Sequence, residues 1–90
     1  MVERLHLIVK GRVQGVGFRY FVYEKATALG VKGIVKNLFN GDVEVEAEAV
    51  RPLLEQFLLA VEAGPRGARV SNIVSEWKKA EKNFSSFEIR

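Results

Sequence analysis

The sequence predicts an α+β fold: an antiparallel sheet with two helices on one face and a short extra strand at the carboxy terminus. Three observations predict it. Residues 18–30 and 51–64 carry apolar side chains at helical spacing, while the stretches around them alternate at the period of a strand. The order along the chain is strand, helix, strand, strand, helix, strand. Asn40-Gly41 falls between the second and third strands and marks a hairpin there.

Each element has a local reason. In "RLHLIVKGRV", Leu5, Leu7 and Val9 alternate with His6, Ile8 and Lys10, as in a strand covered mainly on one face. Glycines interrupt it. In "FRYFVYEKATALG", Phe18, Val22, Ala26 and Leu29 share a helical stripe, with Phe21 and Lys25 alongside, and Gly30 stands where a left-handed cap ends a helix. "VKGIVKNLF" and "DVEVEAEAV" form the hairpin. A two-residue turn would set Lys36 against Val45 and Val35 against Glu46. A three-residue loop with Gly41 left-handed sets Lys36 against Glu44 and Val35 against Val45, the pairing that cross-strand chemistry favours. In that register Asn37 lies on the valine face at the end of its strand, where a polar group needs a partner or a job.

In "RPLLEQFLLAVEAG", Pro52 suits the first helical position, and Leu53, Leu54, Phe57, Leu58 and Val61 make the buried stripe. Gly64-Pro65 stops the helix. Strand character returns in "ARVSNIVSEWKKA" and again in "FSSFEIR", where Phe87 and Ile89 flank Glu88. This order is that of the ferredoxin-like βαββαβ sandwich, a single domain over 1–90. In it the first two strands run parallel with the third between them. The loop after strand one and the end of strand two then meet at the same edge, roughly two strand spacings or about 9.5 Å apart.

Composition removes much chemistry. The 90 residues contain no cysteine and one histidine, His6. Disulfides, iron–sulfur clusters and thiolate chemistry are excluded, and a metal cluster of the usual spacing has no ligands to draw on. No apolar run approaches the ~20 residues that span a bilayer, and "MVERLHLIVK" has no leader pattern. A cytoplasmic protein with no membrane partner is expected. The net charge of +3 suits an anionic small molecule without demanding nucleic acid.

The chemistry concentrates in "GRVQGVGFRY", positions 11–20. Three glycines in seven residues permit unusual backbone angles and close approach of a ligand. The segment feeds a helix amino terminus, where N–H groups lack intrahelical partners and attract anions, phosphate above all. Arg19 sits in the first helical turn, where a cation opposes the helix dipole by about 0.3–1 kcal/mol. That position makes sense if an anion shares it. Two nucleotide motifs fail: Gly17 is followed by Phe18 rather than Lys, and the third glycine of a dinucleotide fingerprint would stand at Tyr20.

"GRVQGVGFR" at 11–19, "GIVKNLFNGDVEVEAEA" at 33–49 and the closing "FEIR" resemble the acylphosphatase family in order, spacing and length over essentially the whole chain. The one departure is Asn40-Gly41 where many relatives have Asp-Gly, and both suit the turn. The resemblance implies hydrolysis of the carboxyl–phosphate anhydride of acyl phosphates, with no cofactor and no metal. It also implies a small-molecule acyl phosphate partner, with inorganic phosphate or similar anions as product or inhibitor. The family's catalytic arginine falls on Arg19 and its asparagine on Asn37. By resemblance Arg19 clamps the phosphoryl oxygens, backbone N–H groups of Gln14, Gly15, Val16, Gly17 and Phe18 complete the phosphate cradle, and Asn37 positions the attacking water.

The remaining candidates read as structural. Glu44, Glu46 and Glu48 alternate on one strand and are expected to be a solvated face beside lysines. His6 lies far in sequence from the cradle. Lys10 and Arg12 flank the loop, as anion attractors or as solvated charges. Phe18, Phe21 and Trp77 read as core. An RNA-recognition module shares the topology, but its glycine-aromatic motif belongs on the third strand, which here carries glutamates.

Overall fold

The computed structural model describes residues 1–90. It runs strand β1 (Val2–Arg12), helix α1 (Phe18–Leu29), strands β2 (Lys32–Asn37) and β3 (Val43–Val50), helix α2 (Arg51–Ala63), strand β4 (Arg69–Lys79) and the short strand β5 (Phe87–Ile89). The order across the sheet is β4-β1-β3-β2-β5. β1 and β2 both pair antiparallel with β3, so they run parallel with β3 between them, as the ferredoxin-like topology requires. β5 lies parallel to β2 on the edge opposite β4, which makes the sheet mixed.

The strand period builds the core directly. Leu5, Leu7 and Val9 of β1 and Val43, Val45 and Ala47 of β3 are fully buried beneath the helices. Phe18, Val22 and Ala26 of α1 and Leu54, Phe57 and Val61 of α2 cover them. Phe87 brings β5 into the same core, its ring edge-on to Phe57 with centroids 6.1 Å apart. Burial of this kind stabilises by roughly 1.5–3 kcal/mol for each large apolar side chain. Phe21, Leu29, Leu53, Leu58 and Trp77 are half-buried around the rim. The Arg51 guanidinium lies 3.7 Å over the indole of Trp77.

The β2–β3 hairpin takes the three-residue register. Val35 faces Val45 and Lys36 faces Glu44. Leu38 N–H donates to the Asp42 carbonyl at 2.8 Å, and Gly41 N–H donates to the Leu38 carbonyl at 3.2 Å. Phe39, Asn40 and Gly41 therefore form the loop, with Gly41 at φ 96° supplying the left-handed step that other residues resist.

One expectation is overturned. Glu44, Glu46 and Glu48, on the face away from the helices, are not a solvated row. Arg4 donates from Nε to Glu46 at 2.8 Å and from Nη1 to Glu48 at 3.2 Å, with Glu81 at 3.5 Å. Glu44 lies 2.8 Å from His6 Nε2 and 3.5 Å from Lys36 Nζ. The cause is topological. β4 and β5 occupy opposite edges, so the chain between them must cross the sheet, and residues 80–86 cross this face. The N–H groups of Glu81 and Lys82 donate to the Glu48 carboxylate at 2.8 and 3.0 Å. The Phe84 ring sits 4.8 Å from the Arg4 guanidinium, and Gly33 N–H donates to the Ser86 carbonyl. Glu48 is left 5% exposed, fully paired, and no buried side-chain nitrogen or oxygen lacks a partner.

Candidate active site

The loop between β1 and α1 is pinned by its apolar residues. Val13 and Phe18 are buried at its two ends, and Val16 packs against the core between them. The backbone linking these anchors is turned outward. Gly17 precedes the helix at φ 75°, with no side chain capping the first turn. A residue with a Cβ resists that angle, which explains the glycine. Gln14, Gly15, Val16 and Gly17 send no N–H to a protein acceptor, and the first backbone bond after them runs from Phe21 N–H to the Gly17 carbonyl at 3.0 Å. The N–H groups of Phe18, Arg19 and Tyr20 belong to the first helical turn and have no intrahelical partner. A row of donors thus leads into the positive end of α1.

Part of this row borders a cavity of about 250 Å³. Gly15, Gly17, Phe18 and Arg19 line it from the loop and helix, and Asn37 lines it from the end of β2. The two motifs, expected about two strand spacings apart, meet around one space. Gln14 and Val16 do not line it with their side chains. Tyr20 and Ile89 do, although the sequence offered no reason to place them there.

Gln14 shows how the gap is closed. Its side-chain amide donates to the carbonyls of Leu38 at 2.7 Å and Asp42 at 2.8 Å. These are the carbonyls at the base of the hairpin loop, so one amide draws the glycine loop toward the end of β2. Asn37 is exposed, and its own amide enters none of the hydrogen bonds that join Gln14, Asn40 and Asp42.

Arg19 is steered from β5. Arg90 N–H donates to the Val35 carbonyl at 2.8 Å, continuing the pairing of β5 with β2. A main-chain oxygen of Arg90 then accepts from Arg19 Nη1 at 2.9 Å. A guanidinium has five N–H donors, so this bond aims the group and leaves donors for a ligand. Arg19 forms no ion pair with an acidic side chain. Lys10 is spent on Asp42 at 2.7 Å, and Arg12 is exposed. His6, 2.8 Å from Glu44 on the opposite face of the sheet, is no part of this site.

Chemically the arrangement offers open backbone donors and a cation around one space, with the exposed amide of Asn37 beside them. Backbone donors and a fixed cation suit the oxygens of a phosphoryl group. A larger cavity of about 500 Å³ opens at the other end of the sheet, where the one carboxylate, Glu48, is already paired. It has neither the donor row nor the arginine.

Comparison with known proteins agrees with this geometry. The sequence model of the acylphosphatase family matches residues 5–89. An acylphosphatase of Thermus thermophilus is 50% identical over 88 residues, which cover 98% of this chain and 99% of that one. The crystal structure of acylphosphatase from Bacillus subtilis superposes with a TM-score of 0.95 at 38% identity, covering 100% of this chain and 99% of that one. An acylphosphatase structure from Coxiella burnetii gives a TM-score of 0.93 at 39% identity, covering 99% and 93%.

Proposed function

The chain belongs to the acylphosphatase family, hydrolases of the carboxyl–phosphate anhydride of acyl phosphates, and from that membership we propose how its own residues divide the reaction. The N–H groups of Gln14 through Phe18 and the Arg19 guanidinium hold the phosphoryl oxygens. Asn37 orients the water that attacks phosphorus. One observation carries this reading: Gly15, Gly17 and Phe18 of the loop, Arg19 with no acidic side chain on it, and Asn37 with an uncommitted amide all border a single cavity.

The reaction needs little more than this. Water forms a bond to phosphorus as the bond from phosphorus to the carboxyl oxygen breaks, and the carboxylate leaves with the electron pair. The transition state is loose and spreads charge over the transferring oxygens, so positioning and fixed positive charge do the catalysis. A carboxylate is a weak base and leaves without a general acid. Asn37 has no useful basicity, so the water proton passes to a phosphoryl oxygen of the substrate.

The test is phosphate release from acetyl phosphate and benzoyl phosphate, with phenyl phosphate as the monoester control. The anhydrides are hydrolysed with or without chelator, and the monoester is not. Inorganic phosphate competes. Arg19→Ala lowers kcat/KM roughly 10³-fold, the scale of other arginines that clamp a phosphoryl transition state. Asn37→Ala lowers kcat roughly 10²-fold, as for one lost transition-state hydrogen bond. The rate of the wild type is flat between about pH 5 and 8, because no side chain titrates in the proposed proton path. Full activity in Arg19→Ala, or a side-chain pKa in the profile, overturns the assignment.

A further inference from the structure

Tyr20 borders the cradle cavity yet has no part in the roles above. Tyr20 is 59% exposed at the head of α1. Tyr23, one helical turn on, stacks beside it with centroids 6.1 Å apart and planes 25° apart. Phe21, between them in sequence, turns inward instead, toward Phe18. An aromatic surface is thus held open at the mouth of the phosphate seat.

Phosphoryl transfer places the attacking and leaving oxygens roughly in line through phosphorus. Asn37, the group proposed to orient the water, approaches from the sheet. The acyl group must then leave on the side away from β2. Ile89, set opposite Val35 on the strand beside β2, also lines the cavity and is 41% exposed. Val13 and Phe18 are buried, and the glycines carry no side chain. Tyr20, coming from the helix layer and 59% exposed, is the more open of the two apolar groups that remain.

Phe39 supplies the contrast. It is fully exposed at the hairpin tip and shares a shallow cleft with Asn37, Gln14 and Leu38. That is the side of the attacking water, so an in-line reaction does not carry the acyl group there.

We propose that the acyl group of the substrate lies on the Tyr20 ring, which makes Tyr20 a determinant of which acyl phosphates the enzyme prefers. This rests on the acyl phosphate reading above.

The experiment compares kcat/KM for benzoyl phosphate with that for acetyl phosphate in wild type, Tyr20→Ala, Tyr20→Phe and Phe39→Ala. Alanine at an exposed helical position favours the helix, so the first variant folds. The benzoyl-to-acetyl ratio falls roughly five- to tenfold in Tyr20→Ala, the scale of one lost aromatic pair, and the fall is mainly in KM. Tyr20→Phe keeps the ratio, because the ring face rather than the hydroxyl makes the contact. Phe39→Ala keeps it as well. An unchanged ratio in Tyr20→Ala overturns the proposal, as does a fall in Phe39→Ala alone, which would place the acyl group over the hairpin. A wild type that hydrolyses neither anhydride fails at the earlier step and rejects the acyl phosphate reading itself.

Discussion

Arg4, on the face of the sheet away from the helices, meets the carboxylates of Glu46, Glu48 and Glu81, whereas Arg19, at the head of α1, meets no acidic side chain and donates to a main-chain oxygen of Arg90. At Arg4, burial works against the charge. The hydrogen bond to Glu46 and the negative charges of Glu46, Glu81 and Glu48 outweigh it and hold the guanidinium above its ordinary pKa. The surrounding backbone is equally committed, with two N–H groups spent on Glu48. At Arg19 the surrounding donors are left open. Where a fold supplies its own counter-charges, an arginine is structural. Where it supplies no acidic side chain and leaves donors open alongside, the arginine can meet an anion from outside, as proposed for Arg19.

The largest expected effects are opposite in kind. Arg19→Ala loses most of its catalysis while its urea midpoint stays near that of wild type. Arg4→Ala loses about 3 kcal/mol of stability, because it leaves buried carboxylates without their cation, while the folded fraction keeps wild-type turnover. Urea unfolding beside acetyl phosphate assays on both variants checks the contrast. A stability loss in the first equal to that in the second would break it.

Gln14 joins the two kinds of region, since a structural amide holds the functional loop. Gln14→Ala is expected to lower kcat roughly tenfold through a looser cradle and to cost about 1–2 kcal/mol for the lost bonds. Gln14→Glu should do worse than alanine, because an ionised carboxylate cannot donate to the Leu38 and Asp42 carbonyls and repels them instead. Kinetics that show no change in either variant would mean the loop holds its shape without this tie.

The smallest effect is in the pH dependence of stability. The hydrogen bond with His6 holds the Glu44 carboxyl below its ordinary range; burial opposes this and Lys36 adds to it. A lowered folded-state pKa contributes stability that is fully present above the unfolded value, about 4.3, and is lost as pH falls through the folded value. Wild type should therefore exceed Glu44→Gln in stability at neutral pH, and the two should converge in acid. Urea midpoints between about pH 3 and 7 check the sign.

Local chemistry was legible throughout. The helix stripes, the hairpin register with Gly41 left-handed, and the glycine loop running into Arg19 all depend on residues a few positions apart. The meeting of loop and Asn37 followed from the strand order, because parallel β1 and β2 must end at one edge. Tyr20, Ile89 and the side-chain role of Gln14 were not legible. An exposed tyrosine has no period to betray it, and an amide that bonds two backbone carbonyls leaves no mark on the pattern of side chains.

By itself the sequence determined the elements, their order and the glycine-rich loop leading into Arg19, since these rest on periodicity, turn residues and a cation placed at the wrong end of a helix. Tertiary structure alone decided where β5 docks. From that one placement follow the crossing of residues 80–86, the burial of Glu48 beneath it, and the main-chain oxygen of Arg90 that aims Arg19. The physical reason is range. A three-residue strand carries too little pattern to choose an edge, and the edge is chosen by Phe87 entering a core built from residues far along the chain.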